Sequence, residues 1–226
     1  MNLPKYFLVI IPRYAIFLVI VLFVLSMMAY GGGTINVPDA IGNSFTRNFF
    51  SDLGRFTPDN IISAIFFTAA LSICGLAFSG YFIYFIQLFK QNNLFAIMAK
   101  IGSISGIIGA LCFVGVGFAP HNIFFGPHVF FVKWAFRSFL ITAILFTLVL
   151  YKDDRFENHY ASGYLTFAIL IFIYILILEL GPSPSASDFS LIFNVLAQKL
   201  IILVFMLSVL YQSFGNSKLL AKKSNK

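Results

Sequence analysis

The chain has 226 residues, 60% hydrophobic and only 10% charged, with a mean hydropathy of +0.93. A soluble domain carries about 25% charged residues and could not hide thirty Phe and ten Tyr. Composition therefore excludes a soluble globular protein, and the length leaves room for a single domain (1–226) with no separate soluble one. The net charge of +7 and pI near 9.5 come largely from basic residues that flank apolar runs. That pattern orients membrane helices, and it predicts no nucleic-acid partner. The apolar residues form long unbroken runs instead of strict alternation, which excludes a transmembrane β-barrel. The expected class is all-α: a polytopic transmembrane six-helix bundle.

The first predicted span covers about residues 12–30, after Lys5 and Arg13. A cleavable signal peptide competes with this reading, because Ser26 and Ala29 are small. The run is long for a signal core, and further spans follow, so an uncleaved span is expected. Gly31-Gly32-Gly33 breaks that helix. Residues 31–57 form the longest polar stretch, with Asn36, Asp39, Asn43, Arg47, Asn48, Ser51, Asp52 and Arg55 interleaved by Phe45, Phe49, Phe50 and Phe56. The interleaving predicts an amphipathic loop with a short helix lying in the membrane interface.

Thr57-Pro58-Asp59 is a helix start, with Thr as N-cap, Pro in the first turn and an acidic residue at the positive dipole end. It opens a span at 58–89, and after Gln91-Asn92-Asn93 a third follows at 97–119. Gly102, Gly106 and Gly109 in that span predict close helix packing. A turn with His121 and His128 leads into the fourth span, 127–151. The solvated loop Lys152–His159 precedes a fifth span at 161–181, which carries Glu179. Turn-formers from Gly181 to Asp188 precede the sixth at 189–214, and a basic tail follows Gly215. Cys74 and Cys112 fall inside spans and read as small core residues.

Six spans put both termini on one side, together with Lys5, Arg13, Lys90, Lys100, Lys152, Arg155 and the tail lysines. The opposite loops offer Arg47 and Arg55. This bias predicts cytoplasmic N- and C-termini. The unusual residues then gather on the outer side. Lys133 and Arg137 stand one helical turn apart inside a span, and Lys199 lies about ten residues into the last one, near the bilayer midplane. Charges at such depth face a bundle interior or a wet cavity.

Arg55, Lys133, Arg137 and Lys199 against Asp52, Asp59 and Glu179 leave two outcomes. The charges pair internally, as in a structural or assembly subunit. Alternatively a lipid phosphate enters a shared outward-facing pocket, held by Arg55, Lys133, Arg137, Lys199 and Glu179. An intramembrane metal-dependent hydrolase using Asp52, His121 and His128 is a further alternative. The spacing is not HExxH, no HxxxH pair occurs, and His159 is predicted on the other face, so no metal site and no cofactor is expected. No GxSxG, P-loop or dinucleotide fingerprint is present. Membrane lipids are the expected partners, and homo- or hetero-oligomerisation stays open.

Asn48-Phe-Phe-Ser-Asp-Leu-Gly54, with Phe118-Ala-Pro120 closing the third span and His128 heading the fourth, resembles the signature of a bacterial and archaeal six-span membrane family of unknown function. That family is similar to the DRAM-type and GPI-anchor-remodelling membrane proteins. The resemblance covers about residues 10–215. It implies a six-helix bundle in a prokaryotic cytoplasmic membrane, with a polar outer-facing site near lipids. It supplies no catalytic residues, and it marks Ser51, Asp52, Gly54 and His128 as positions of interest.

Overall fold

The computed structural model describes residues 3–90 and 93–224, the side chains of residues 223 and 224 excepted. Gln91 and Asn92 of the expected turn, and the last of the tail lysines, lie outside the described residues. Six helices are long and apolar enough to cross a membrane: α1 (Leu3–Met28), α2 (Ile61–Ile86), α3 (Leu94–Phe118), α4 (Phe125–Lys152), α5 (Asn158–Leu180) and α6 (Asp188–Ser224). No named strand occurs among the described residues. The expected all-α six-helix transmembrane bundle is the fold.

Helices adjacent in sequence pack against each other, and α6 returns to α1. Arg13 Nε donates to Ser213 Oγ at 2.9 Å, and Asn216 Nδ2 donates to the carbonyl of Leu8 at 3.3 Å. These contacts bring the first and last helices together at one end of the bundle. The opposite end is built from the α1–α2, α3–α4 and α5–α6 connections and is called here the distal end.

Two boundaries differ from expectation. Helix α1 begins at Leu3, ahead of the predicted start, and includes a π-helical stretch at Tyr6–Ile10. Helix α6 runs through Gly215 to Ser224. Gly215 is not a breaker: a Cβ there would come within 3.0 Å of the Tyr160 ring, so its missing side chain lets α5 approach α6.

Helices in lipid gain little from hydrophobic burial against one another and rely on close van der Waals packing. The glycines of α3 supply this in a particular way. A Cβ on Gly106 would fall 2.7 Å from the Phe82 ring, and Gly102 and Gly109 likewise receive the rings of Phe146 and Phe139. Phe82, Phe139 and Phe146 are almost fully buried and form tilted pairs with centroids 6.0–6.4 Å apart. The stripe is a set of sockets for phenylalanines. Gly75 of α2 meets the backbone of α3, at the Ala110 carbonyl, as well as the Val114 side chain. Cys74 and Cys112 are free and buried.

The α1–α2 connection departs most from the sequence reading. The expected interfacial helix does not form. Residues 31–49 are irregular, followed by short 3₁₀ turns at Phe50–Gly54 and Pro58–Asn60. The loop folds into the bundle end instead of lying on the membrane: Leu53 is 1% exposed, and Asn48 and Asp52 are buried with it. Polar partners from the helices draw it in. Ser63 Oγ donates to the Leu53 carbonyl, Gln198 Oε1 accepts from Phe50 N, and Lys199 Nζ donates to the carbonyls of Phe45 and Asn48. Thr57 has the extended backbone of an N-cap, but its hydroxyl accepts from the Asn60 side chain, not from a helix amide.

Candidate functional site

A cavity of about 300 Å³ lies at the distal end, where the inserted loop meets α4, α5 and α6. Its walls are mostly apolar: Phe125, Val129 and Val132 from the first turns of α4, Leu178 from α5, and Phe49 and Ile35 from the loop. Polar groups converge on it from different elements: Ser51 and Asp52 from the loop, His121 from the α3–α4 turn, His128 and Lys133 from α4, and Gln198 from α6. An apolar enclosure with few convergent polar groups is the usual form of a ligand site.

The polar cluster is set by local chemistry. Asp52 sits in the Phe50–Gly54 turn, where its Oδ2 accepts from Phe49 N at 2.8 Å. That bond aims Oδ1 at His121, whose Nε2 stands 3.6 Å away. This is beyond hydrogen-bond length, and neither ring nitrogen of His121 has a partner although the residue is 5% exposed. His128 packs edge-on to His121 with centroids 5.7 Å apart. His128 Nδ1 lies 2.7 Å from the Ala119 carbonyl. A carbonyl only accepts, so Nδ1 carries the proton and the neutral ring keeps its lone pair on Nε2.

Burial raises the Asp52 carboxyl from its ordinary 3.8 to about 7, against the opposing pull of Phe49 N–H, Asn48, Lys199 and Arg55. Burial, followed by His128 and, more weakly, Arg55, lowers His121 to about 4, against the pull of the Ser51 backbone, whose approach falls short of hydrogen-bond geometry. At neutral pH the histidine is uncharged, and the carboxyl is held well above the usual carboxylate range.

The cations expected to share one pocket are divided by the structure. Lys133 lines the cavity, whereas Arg55, Arg137, Glu179 and Lys199 do not contribute to its wall. Lys133 Nζ donates to Glu179 Oε2 at 3.0 Å and Arg137 Nη2 donates to Oε1 at 2.8 Å, so one carboxylate is shared by two cations. All three side chains are partly exposed at the seam between α4 and α5. Arg137 lies over the Trp134 ring at 5.8 Å, and Trp134 is 45% exposed. Exposed Trp favours the headgroup level of a bilayer.

Lys199 is 8% exposed and reaches the loop carbonyls instead of a carboxylate, with its ammonium also near the Phe45 and Phe50 rings. It anchors the loop that carries Asp52. Arg55 leans on Gly33, where a Cβ would come within 2.9 Å of Nη1. Of the internally paired alternative, the Lys133 and Arg137 pairings are present and the Lys199 pairing is not.

Asp52, His121 and His128, proposed from sequence as catalytic candidates, do share the cavity. No group of three or more His, Cys, Asp or Glu among the described residues is placed to hold a metal ion, so the trio is not a ligand set. Tyr174 also lines the cavity, and sequence reasoning did not single it out. It sits in an uninterrupted apolar run, and only the packing of α5 on α4, with its ring against Phe136, turns it inward. Comparison with protein-family models, curated proteins and solved structures returns no match for this chain.

Proposed function

We propose that this integral membrane protein binds and handles a lipid with a phosphate-bearing headgroup, taken up laterally at the distal end between α4 and α5. The observation that carries the reading is the placement of Lys133, which both lines the cavity and belongs to the Lys133–Glu179–Arg137 triad on the exposed seam. Two cations against one carboxylate leave a surplus positive charge at the cavity mouth, at a level marked by Trp134. A phosphate there satisfies donors of Lys133 and Arg137 that Glu179 alone does not use, through charge-assisted bonds. The apolar wall of Val129, Val132 and Leu178 suits acyl chain leaving the mouth. The excess of cations at the end holding the termini supports a reading with the distal end on the non-cytoplasmic side.

The test is native mass spectrometry of the full chain released from detergent with added anionic phospholipid. Lys133→Met removes the surplus charge and leaves the Arg137–Glu179 pair intact. Its retention of the phospholipid is expected to fall several-fold, while diacylglycerol retention stays unchanged. Equal phospholipid retention by wild type and variant would remove the basis for the proposal.

A further inference from the structure

Apart from the Lys133 triad, the buried polar cluster has chemistry of its own. His121 is buried with both ring nitrogens unpartnered. A buried polar group without a partner is costly, and native proteins tolerate few of them. Here the His121 ring borders an open cavity shared by Asp52 and His128, so an entering ligand can satisfy its nitrogens.

The pattern also restricts what that ligand is. A neutral imidazole presents one donor and one acceptor. Asp52 Oδ1 accepts when ionised and donates when protonated, and His128 Nε2 accepts. The cluster therefore asks for groups that donate and accept at once. A fully ionised phosphate only accepts and would leave the imidazole lone pairs facing it. An ammonium only donates, and Lys199 and Arg55 already bear on Asp52, so a further cation there meets like charge. Hydroxyl groups meet all the requirements.

We infer that the Asp52–His121–His128 end of the cavity is a recognition site for the hydroxyls of an uncharged polyol headgroup, such as the glycerol or sugar of an anionic phospholipid, whose phosphate stays at Lys133. This rests on the lipid-binding reading and names its substrate class. The division of labour follows burial along the cavity wall: Lys133 is partly exposed at the α4–α5 seam, whereas His121, His128 and Asp52 are buried. His121 and His128 are the reading groups. Asp52 is fixed by Phe49 N–H and holds the orientation of the set.

The experiment is a headgroup competition with identical acyl chains. Full-length protein is offered equimolar phosphatidylglycerol, phosphatidic acid, phosphatidylethanolamine and phosphatidylcholine, and bound lipid is read by native mass spectrometry. Phosphatidylglycerol is expected to exceed each of the others by about ten-fold, the worth of one or two neutral hydrogen bonds. His121→Phe keeps the ring and removes the nitrogens. It is expected to lower phosphatidylglycerol to the level of phosphatidic acid while leaving phosphatidic acid binding unchanged.

Equal retention of phosphatidylglycerol and phosphatidic acid by the wild type would overturn this inference and leave the lipid-binding reading in place. Retention of no phospholipid would overturn both. Preference for phosphatidylethanolamine would assign the polar end to an ammonium and also defeat the inference. Should His121→Phe fail to fold, the wild-type series decides alone, with His128→Phe as the second variant.

Discussion

Lys199 Nζ donates to the backbone carbonyl of Asn48 at 2.7 Å, joining positions 151 residues apart in the chain. The bond ties the middle of the distal end to the loop that delivers Asp52. A cation on a transmembrane helix is thus satisfied by irregular backbone that dips to meet it, which the membrane tolerates only where that backbone is enclosed by protein.

Replacing this cation tests its anchoring role. Lys199→Met keeps the chain length and leaves the carbonyls of Phe45 and Asn48 without their shared donor. A loss of about 2–3 kcal/mol in stability is expected, the cost of leaving buried acceptors unmet. Thermal unfolding in detergent reads it. Limited proteolysis should show earlier cleavage within residues 31–57, with the helices left intact.

The Asp52–His121 pair predicts opposite pH behaviour for its two single variants. Asp52 is raised from 3.8 to about 7, so the folded state keeps a proton that the unfolded state releases above about 4. His121 is lowered from 6.5 to about 4, so the unfolded state takes up a proton that the folded state refuses below 6.5. Between about pH 4 and 6.5 the two effects oppose each other in the wild type. In Asp52→Asn only the histidine effect remains, and stability should rise with pH across that window. In His121→Gln only the carboxyl effect remains, and stability should fall as pH rises from about 4 to about 7. Melting temperatures followed across the range should diverge by about 10 °C or more.

Glu179 restrains the positive charge at the cavity mouth. Glu179→Gln leaves Lys133 and Arg137 without their shared carboxylate. The side chains are partly exposed, so little change in melting temperature is expected. Anionic phospholipid retention should increase, and the increase should shrink at high salt. A fall in retention would show that Glu179 positions Lys133 instead of competing for it.

The glycines predict a contrast. A Cβ at Gly75 would stand 2.6 Å from the Ala110 carbonyl oxygen and closer still to Val114, so Gly75→Ala should cost about 1–3 kcal/mol through overpacking between α2 and α3. At Gly126 in the first turn of α4, a Cβ meets nothing within 4 Å. Gly126→Ala should be neutral or slightly stabilising, by up to about 1 kcal/mol. Paired thermal melts of the two variants provide the check.

The membrane class and the number of spans were already legible in the chain, because hydrocarbon imposes one strong demand. Every span needs some twenty apolar residues with its backbone bonded internally, and such runs are visible without any partner. The stripe of Gly102, Gly106 and Gly109 was equally readable as a packing surface, and so was the unusual pairing of Lys133 with Arg137. The segment Asn48–Gly54, singled out in the sequence, contains the turn that presents Asp52 to the cavity.

What the tertiary structure alone decided was which of these polar residues meet. Lys133, Arg137 and Lys199 look alike in a hydropathy profile. One lines a cavity, one borders the exposed seam between α4 and α5, and one anchors a loop. The fate of each was settled by partners far away in sequence: Glu179 on α5 for the first pair, and the carbonyls of Phe45 and Asn48 for the third. Residues 31–57 read as an amphipathic loop with a short interfacial helix, because Phe45, Phe49 and Phe56 are spaced for one. They fold inward because Ser63, Gln198 and Lys199 offer buried hydrogen bonds to a backbone that has no helix of its own to satisfy it.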